Sequence, residues 1–125
     1  MKIMYLCITN AFYGKNGFKR RSVYDCTRKY WNLRSLNKAS QAEFIVGLAN
    51  GEIKGIFTKT DNWKLVKDMP ELLNDEEVSK NPEYKLRYAF SGSTIDLNSS
   101  DGKKIIEYYR EHPFKFHGNV EQYNF

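Results

Sequence analysis

Short apolar runs separated by polar turns follow one another along this chain. The clearest pair flanks Asn50-Gly51, two residues that tolerate positive φ and that predict a type I′ hairpin between the runs. The run at residues 84–90 alternates between apolar and polar residues, as a half-buried strand does, and Ser91-Gly92-Ser93 is expected to break it. Together the runs predict strands at residues 2–9, 42–49, 52–58, 84–90 and 120–123.

Helical spacing of apolar residues is confined to short stretches. Ser22 has the character of an N-cap and predicts a helix over residues 23–30, after a polar loop at residues 10–21. Asp101 predicts the start of a second helix, over residues 102–111. Five or six strands with two or three short helices indicate an α+β fold. We expect a small mixed or antiparallel sheet, curled into a barrel-like form.

Length and composition indicate one globular domain. The chain has 125 residues, and its hydrophobic share of 41% and charged share of 28% are ordinary for such a domain. No apolar run approaches the roughly 18 residues that a membrane span requires, and the start is too polar for a signal peptide. Cys7 and Cys26 lie outside any metal-binding spacing, so we expect reduced thiols and no metal or other cofactor. These features predict a cytoplasmic protein without a membrane partner.

Charge is unevenly distributed around the net value of +5. Residues 13–34 hold seven basic residues and one acid, whereas residues 68–83 hold six acids and one base. We call residues 68–83 the acidic segment and expect it to form one short helix, at residues 71–78, or to stay mobile. A basic surface favours anionic partners, although a solvated surface explains either charge run equally well. The predicted phosphate-binding residues are Lys15, Lys19, Arg20, Arg21 and Lys29.

No catalytic motif stands out in the sequence. GxSxG, P-loop, GxGxxG and HExxH patterns are all missing, and the only histidines are His112 and His117. A metal-dependent nuclease needs several acids beside its basic surface, and Asp25 alone lies there. We therefore expect a protein without enzymatic activity, with a nuclease as the minor alternative.

Rings and cations are interleaved on the first predicted helix. Tyr24 and Arg28 are i,i+4 neighbours, and Trp31 follows at the helix end. A ring beside a guanidinium can stack on a base and hold a phosphate. The alternative is that Trp31 and Trp63 belong to the core and that Arg28 is a surface charge or pairs with Asp25.

Residues 24–33, YDCTRKYWNL, resemble a motif written loosely as YEATRxxWRV. That motif belongs to a small bacterial and phage domain found alone or near restriction-type nucleases. The family is similar to the PUA-like group of small barrels, which includes readers of modified or flipped bases. Other parts that match the family in order are residues 8–10, residues 42–57 with a closing Trp63, residues 87–92, and residues 118–120 with Tyr123. Compared with the family pattern, the acidic segment looks like an insertion.

The resemblance implies a ligand pocket between the first helix and the sheet. A flipped base needs stacking walls and hydrogen bonds to its edge, and the family pattern supplies both residue types. The asparagines have a simpler alternative role, which is to satisfy loop backbone. The polar groups implied are Asn10, Arg28 and Asn119, and the stacking walls are Tyr24, Trp31 and Trp63.

Three functions stay open at this point. The first is a reader of DNA or RNA, in which the basic loop supplies affinity and the pocket supplies selectivity. The second is a sponge, a phage anti-defence protein that holds a small nucleotide signal unchanged, and an oligomer suits that role. The third is an inhibitor whose acidic segment docks on a host protein.

Overall fold

A computed structural model describes residues 1–114, 116 and 120–125. Its centre is a five-stranded sheet in which the first two strands in the chain are parallel and every other pair is antiparallel. The strands are β1 (Ile3–Cys7), β2 (Phe44–Ala49), β3 (Glu52–Leu65), β4 (Tyr88–Ile95) and β5 (Glu121–Tyr123). Their order in the sheet is β4-β3-β2-β1-β5. The α+β class is confirmed, but the sheet is open, which corrects the expectation of a barrel.

The described ranges contain six α-helices, more than the two or three that the sequence predicts. Two of the additional helices, at residues 9–13 and 36–41, lie in stretches without apolar periodicity. The acidic segment forms two helices where the sequence predicts at most one. In that range no helix combines the length and apolar character that a membrane crossing requires. The helices are α1 (Thr9–Tyr13), α2 (Val23–Arg28), α3 (Leu36–Gln41), α4 (Pro70–Leu73), α5 (Glu76–Lys80) and α6 (Ser100–Glu111), with 3₁₀ turns at Val66–Asp68 and Pro82–Leu86.

Local sequence signals explain where several elements begin and end. The Ser22 hydroxyl accepts from the Asp25 N–H at 3.2 Å and caps α2, which confirms the predicted start. Asn50 and Gly51 have φ of 50° and 77°, as the predicted hairpin requires. Strand β4 continues through Gly92, because that residue pairs with β3, so the break predicted there is wrong.

Both faces of the sheet are covered. Helix α6 packs Ile105 against one face, which includes Ile3 and Val46. Helices α1 to α3 cover the other face, which includes Met4 and Ile45. A third cluster lies under the acidic segment, so this segment is packed against the sheet and is not a free lobe. Its buried members are Tyr30, Val66, Met69, Leu72, Val78 and Ala89.

Helix α2 approaches β2 closely at Gly47. A Cβ atom at Gly47 would lie 2.5 Å from the Thr27 hydroxyl oxygen, which is itself fully buried. This hydroxyl donates to the Val23 carbonyl at 2.7 Å, so it has little freedom to move aside. The glycine therefore sets the distance between α2 and the sheet.

We predict that Gly47→Ala lowers the free energy of unfolding by about 1–3 kcal/mol, because the added methyl overpacks the α2–β2 contact. Urea unfolding measures this effect. Combining it with Thr27→Ala, which removes the opposing hydroxyl, should recover part of the loss. If the stability loss of the double variant equals the sum of the two single-variant losses to within about 0.5 kcal/mol, direct contact between the two positions is contradicted.

Candidate functional site

Helix α2 lies along the outer edge of β4. The Tyr24 hydroxyl accepts from the Gly92 N–H at 3.0 Å, and Arg28 Nε donates to the Phe90 carbonyl at 3.0 Å. The guanidinium carbon of Arg28 is 5.0 Å from the centroid of the Tyr24 ring, so the predicted ring–guanidinium neighbours do meet. Polar atoms of both side chains are thus engaged by backbone groups of an edge strand.

Trp31, which follows α2, adds a third set of hydrogen bonds to the outer edge of β4. Its backbone N–H and C=O exchange hydrogen bonds with Tyr88 at 3.0 and 2.9 Å. Its indole N–H donates to the Thr27 carbonyl at 2.8 Å. Tyr24, Arg28 and Trp31 are spaced i, i+4 and i+7, and each bonds to the next alternate residue of β4. We call these three residues the edge clasp. The clasp occupies groups with which a foreign strand would otherwise pair.

The remaining predicted ligand-binding residues are dispersed. Trp63 is 6% exposed and packs edge-on against Phe90, with 4.8 Å between the ring centroids, as a core residue does. Within the described ranges, Trp63 Nε1 has no hydrogen-bond partner. Asn10 is exposed and its Oδ1 accepts from Asn16 Nδ2 at 2.9 Å. Asn119 lies outside the residues that the structure describes.

Two of the predicted phosphate-binding cations form an internal ion network with the acidic segment. The side chains of Arg21 and Lys29 are each only 8% exposed. Arg21 donates to Glu77 through Nε at 2.9 Å and through Nη2 at 2.7 Å. Lys29 Nζ and the Tyr30 hydroxyl both donate to Asp75, at 2.6 and 2.8 Å. We call these five residues the buried ion network.

Charge pairing within the network shifts the protonation of its members. Burial acts to raise the pKa of Asp75, but hydrogen bonds from Lys29, the Glu77 N–H and Tyr30 outweigh it and lower the pKa from 3.8 to about 2. Burial and the bond to Asp75 raise the pKa of Tyr30. The Asp75 carboxyl group, with this lowered pKa, is therefore ionised at neutral pH. Sequence reasoning missed Asp75 and Glu77, although the matching excess of acids and bases in two segments was the available signal.

A cavity of about 100 Å³ lies between the end of β1, α1 and α2. It brings together four predicted site residues, namely Asn10, Arg21, Lys29 and Trp31. Burial raises the pKa of the Cys26 thiol, so this part of the lining is neutral and apolar. The other lining residues are Cys7, Ile8, Ala11, Phe18, Tyr30 and Val120.

The loop at residues 14–21 contributes Phe18 and Arg21 to the lining of the cavity and carries the other predicted cations. Lys15, Lys19 and Arg20 are all exposed on it. Two large rings beside them are also exposed, Tyr13 at 40% and Phe18 at 41%. The loop thus presents cations and rings to solvent together, the combination that single-stranded nucleic acids bind.

A groove of about 410 Å³ adjoins the cavity and shares Phe18 and Arg21 with it. Its charged lining is mixed. Glu76 lies 2.8 Å from Lys80 and 3.9 Å from Lys19, and all three side chains are well exposed. Exposed pairs of this kind contribute little to stability, so Lys19 is not held in place by its partner.

Comparisons of the chain with protein-family models, with curated proteins and with solved structures give no match. The resemblance to the YEATRxxWRV family and to PUA-like barrels consequently stays a prediction. Support for a function therefore comes from the cavity and from the exposed loop at residues 14–21.

We predict that Arg28→Lys lowers the free energy of unfolding by about 1–3 kcal/mol, because an ammonium cannot serve both the Phe90 carbonyl and the Ser91 hydroxyl in the geometry of the guanidinium. Urea unfolding is the measurement. Arg110→Lys, at an exposed position on α6, is the matched control and should leave the midpoint unchanged. Equal midpoints for both variants would show that the clasp is not structural.

We predict that Asp75 contributes to the fold above about pH 4 and that this contribution, about 2 kcal/mol, is lost as the pH falls towards 2. The sign follows from a folded-state pKa below the unfolded one, so the unfolded chain takes up the proton first. Urea unfolding from pH 5 to about pH 2 should show this loss in the wild type and not in Asp75→Asn.

Glu107→Gln is the control for the acid experiment, because Glu107 is an exposed carboxylate on α6, away from the buried ion network. Its unfolding should follow pH as the wild type does. If Asp75→Asn retains the full wild-type pH dependence, the network does not depend on the Asp75 carboxylate.

Proposed function

We propose that the protein binds nucleic acid, with the loop at residues 14–21 contacting phosphates and the cavity receiving one unstacked or flipped base. The observation that carries this proposal is that the exposed cations Lys15, Lys19 and Arg20 lie on the same loop as Phe18, which lines the cavity together with Trp31. Cations there supply affinity for any sequence, and rings supply surfaces on which a base stacks.

The cations inside the cavity are paired with carboxylates, whereas those on the loop are exposed, and this difference supports the proposal. Arg21 and Lys29 are matched by Asp75 and Glu77, so the interior of the site adds no net positive charge. A neutral, planar base suits such an interior better than a phosphate does, because a phosphate there competes with two carboxylates. Phosphates are instead attracted to the exposed cations outside.

Cavity size favours this proposal over the nucleotide sponge. Sites that enclose a whole small ligand measure about 300–1,000 Å³, whereas this cavity holds about 100 Å³. The adjoining groove is larger, but its three cations, Lys19, Arg21 and Lys80, already pair with Glu76 or Glu77, so a phosphate chain would have to compete with these carboxylates. A base inside with its sugar and phosphates outside fits both observations.

The inhibitor hypothesis draws less support from the geometry. Asp75 and Glu77 face inward to the buried ion network and are not available to a basic partner protein. The exposed acids of the segment are spread over separate turns, and one of them, Glu76, already pairs with Lys80; they are Asp68, Glu71, Glu76 and Glu83. Failure to bind any nucleic acid would return attention to this surface.

We predict that the triple variant Lys15→Ala, Lys19→Ala, Arg20→Ala binds a single-stranded oligonucleotide more weakly at low salt. The slope of log affinity against log salt should fall by about 2, since each lost phosphate contact on a single strand removes about 0.7. Fluorescence anisotropy at salt concentrations from about 50 to 200 mM measures both quantities.

The matched control removes the same charge from the opposite side of the sheet. Lys103, Lys104 and Arg110 are exposed on α6, and their replacement by alanine should leave the salt slope at its wild-type value. An equal fall in both triple variants would mean that net charge alone drives binding and would overturn the role of the loop.

A further inference from the structure

We infer that the nucleic acid bound by this protein is a single strand rather than a duplex, and that Tyr13 stacks on one of its bases outside the cavity. This inference rests on the proposed nucleic-acid binding and adds to it the kind of strand and a further stacking residue. It comes from the exposure of two rings, from the hydrogen bonds that hold their loop, and from the cations beside them.

Two large rings are exposed within a short stretch of chain. Tyr13, at the end of α1, is 40% exposed, and Phe18, on the loop at residues 14–21, is 41% exposed. Covering such rings with a planar ligand removes apolar surface from water. A base offers its face to a protein ring only where it is unstacked, as in a single strand and not inside a duplex.

Backbone hydrogen bonds fold the loop back onto α1. The Lys15 N–H donates to the Asn10 carbonyl at 2.8 Å, and the Arg21 N–H donates to the Ala11 carbonyl at 3.1 Å. Between these two contacts, the Phe18 N–H donates to the Lys15 carbonyl at 3.0 Å. Both exposed rings therefore belong to a loop whose ends are fixed, which lowers the entropy that is lost when a ligand binds.

The Tyr13 ring is supported by its neighbour on α1. Phe12 packs against the core, and its ring stands at 84° to that of Tyr13, with 4.8 Å between the centroids. Lys15 Nζ lies 5.2 Å from the centroid of the Tyr13 ring. Because a cation–π contact is weak at an exposed site, a base can replace the ammonium over the ring, and the ammonium can then pair with a phosphate.

A second cation lies beside the same ring. A Cβ atom at Gly14, the residue after Tyr13, would lie 3.3 Å from Arg20 Cβ, so Arg20 packs next to the end of α1. Among the residues that the structure describes, no carboxylate forms an ion pair with Lys15 or Arg20. Rings and unpaired cations therefore share one surface, which suits a strand that presents both bases and phosphates.

Reading a duplex requires a different kind of surface. A helix that reads the major groove lies in a channel about 12 Å wide and presents hydrogen-bonding side chains to the base edges. The helices nearest the exposed cations, α1 and α2, have five and six residues, which at about 1.5 Å per residue is less than the width of the groove. Helix α1 also ends in an exposed ring, which favours stacking over contact with base edges.

The first experiment compares three ligands of equal length: a single strand, the duplex of the same sequence, and a single strand without bases. Fluorescence anisotropy at about 200 mM salt weakens the contribution of phosphates to affinity. The wild type should bind the intact single strand at least about tenfold more tightly than either other ligand, because only this strand offers base faces to the rings.

The second experiment removes the ring. Tyr13→Leu keeps an apolar side chain and should lower affinity for the single strand about tenfold, with the salt slope unchanged because stacking involves no phosphate. Its affinity for the duplex and for the strand without bases should stay the same. Tyr13→Phe, which keeps the ring, should lose much less. Tyr108→Leu is the matched control, because it removes a half-buried ring from α6 on the other face of the sheet. It should bind all three ligands as the wild type does.

Urea unfolding confirms that each variant is folded before its affinity is compared. Wild-type binding of the duplex as tight as that of the single strand overturns the inference while binding itself stands. So does a Tyr13→Leu variant that binds the single strand as the wild type does, or that loses the same factor on all three ligands. Absence of binding to every ligand overturns the proposed function instead.

Discussion

Two buried cations constrain the rest of this structure. Arg21 and Lys29 lie beneath the acidic segment with only 8% of each side chain exposed. Removing one partner of a buried ion pair costs about 3–5 kcal/mol, because the other charge is left without compensation. The acidic segment must therefore close over α2, and Asp75 and Glu77 must face inward. The position of α2, and with it the wall of the cavity, follows from this requirement.

Helix α2 is only six residues long, too short to be stable by itself. Its three sides are each held by a different kind of interaction. Thr27 packs against Gly47 in the core, the edge clasp bonds to β4, and Lys29 enters the buried ion network. Because the three contacts come from separate parts of the chain, α2 is fixed in orientation as well as position. Cys26 and Lys29 line the cavity, so the position of this wall is fixed together with that of α2.

Features that depend on neighbouring residues could be predicted from the sequence. The Asn50-Gly51 hairpin, the Ser22 cap and the contact between Tyr24 and Arg28 all arise within a few residues. Features that depend on distant partners could not. Lys29 and Asp75 are 46 residues apart, and Arg21 and Glu77 are 56 apart, so the sequence shows the charges without showing that they pair. The end of β4 is a similar case. Ser91-Gly92-Ser93 favours a break by its local composition, but pairing of these residues with β3 continues the strand.

The proposed site separates affinity from selectivity through the exposure of its charges. Charges on the loop at residues 14–21 are in water, so added salt screens their attraction for phosphates. Charges of the buried ion network are shielded from solvent and are screened much less. Salt that releases a nucleic acid from the loop therefore leaves the shape of the cavity intact. The buried ion network, which contributes no net attraction, acts by holding the wall of the cavity in place.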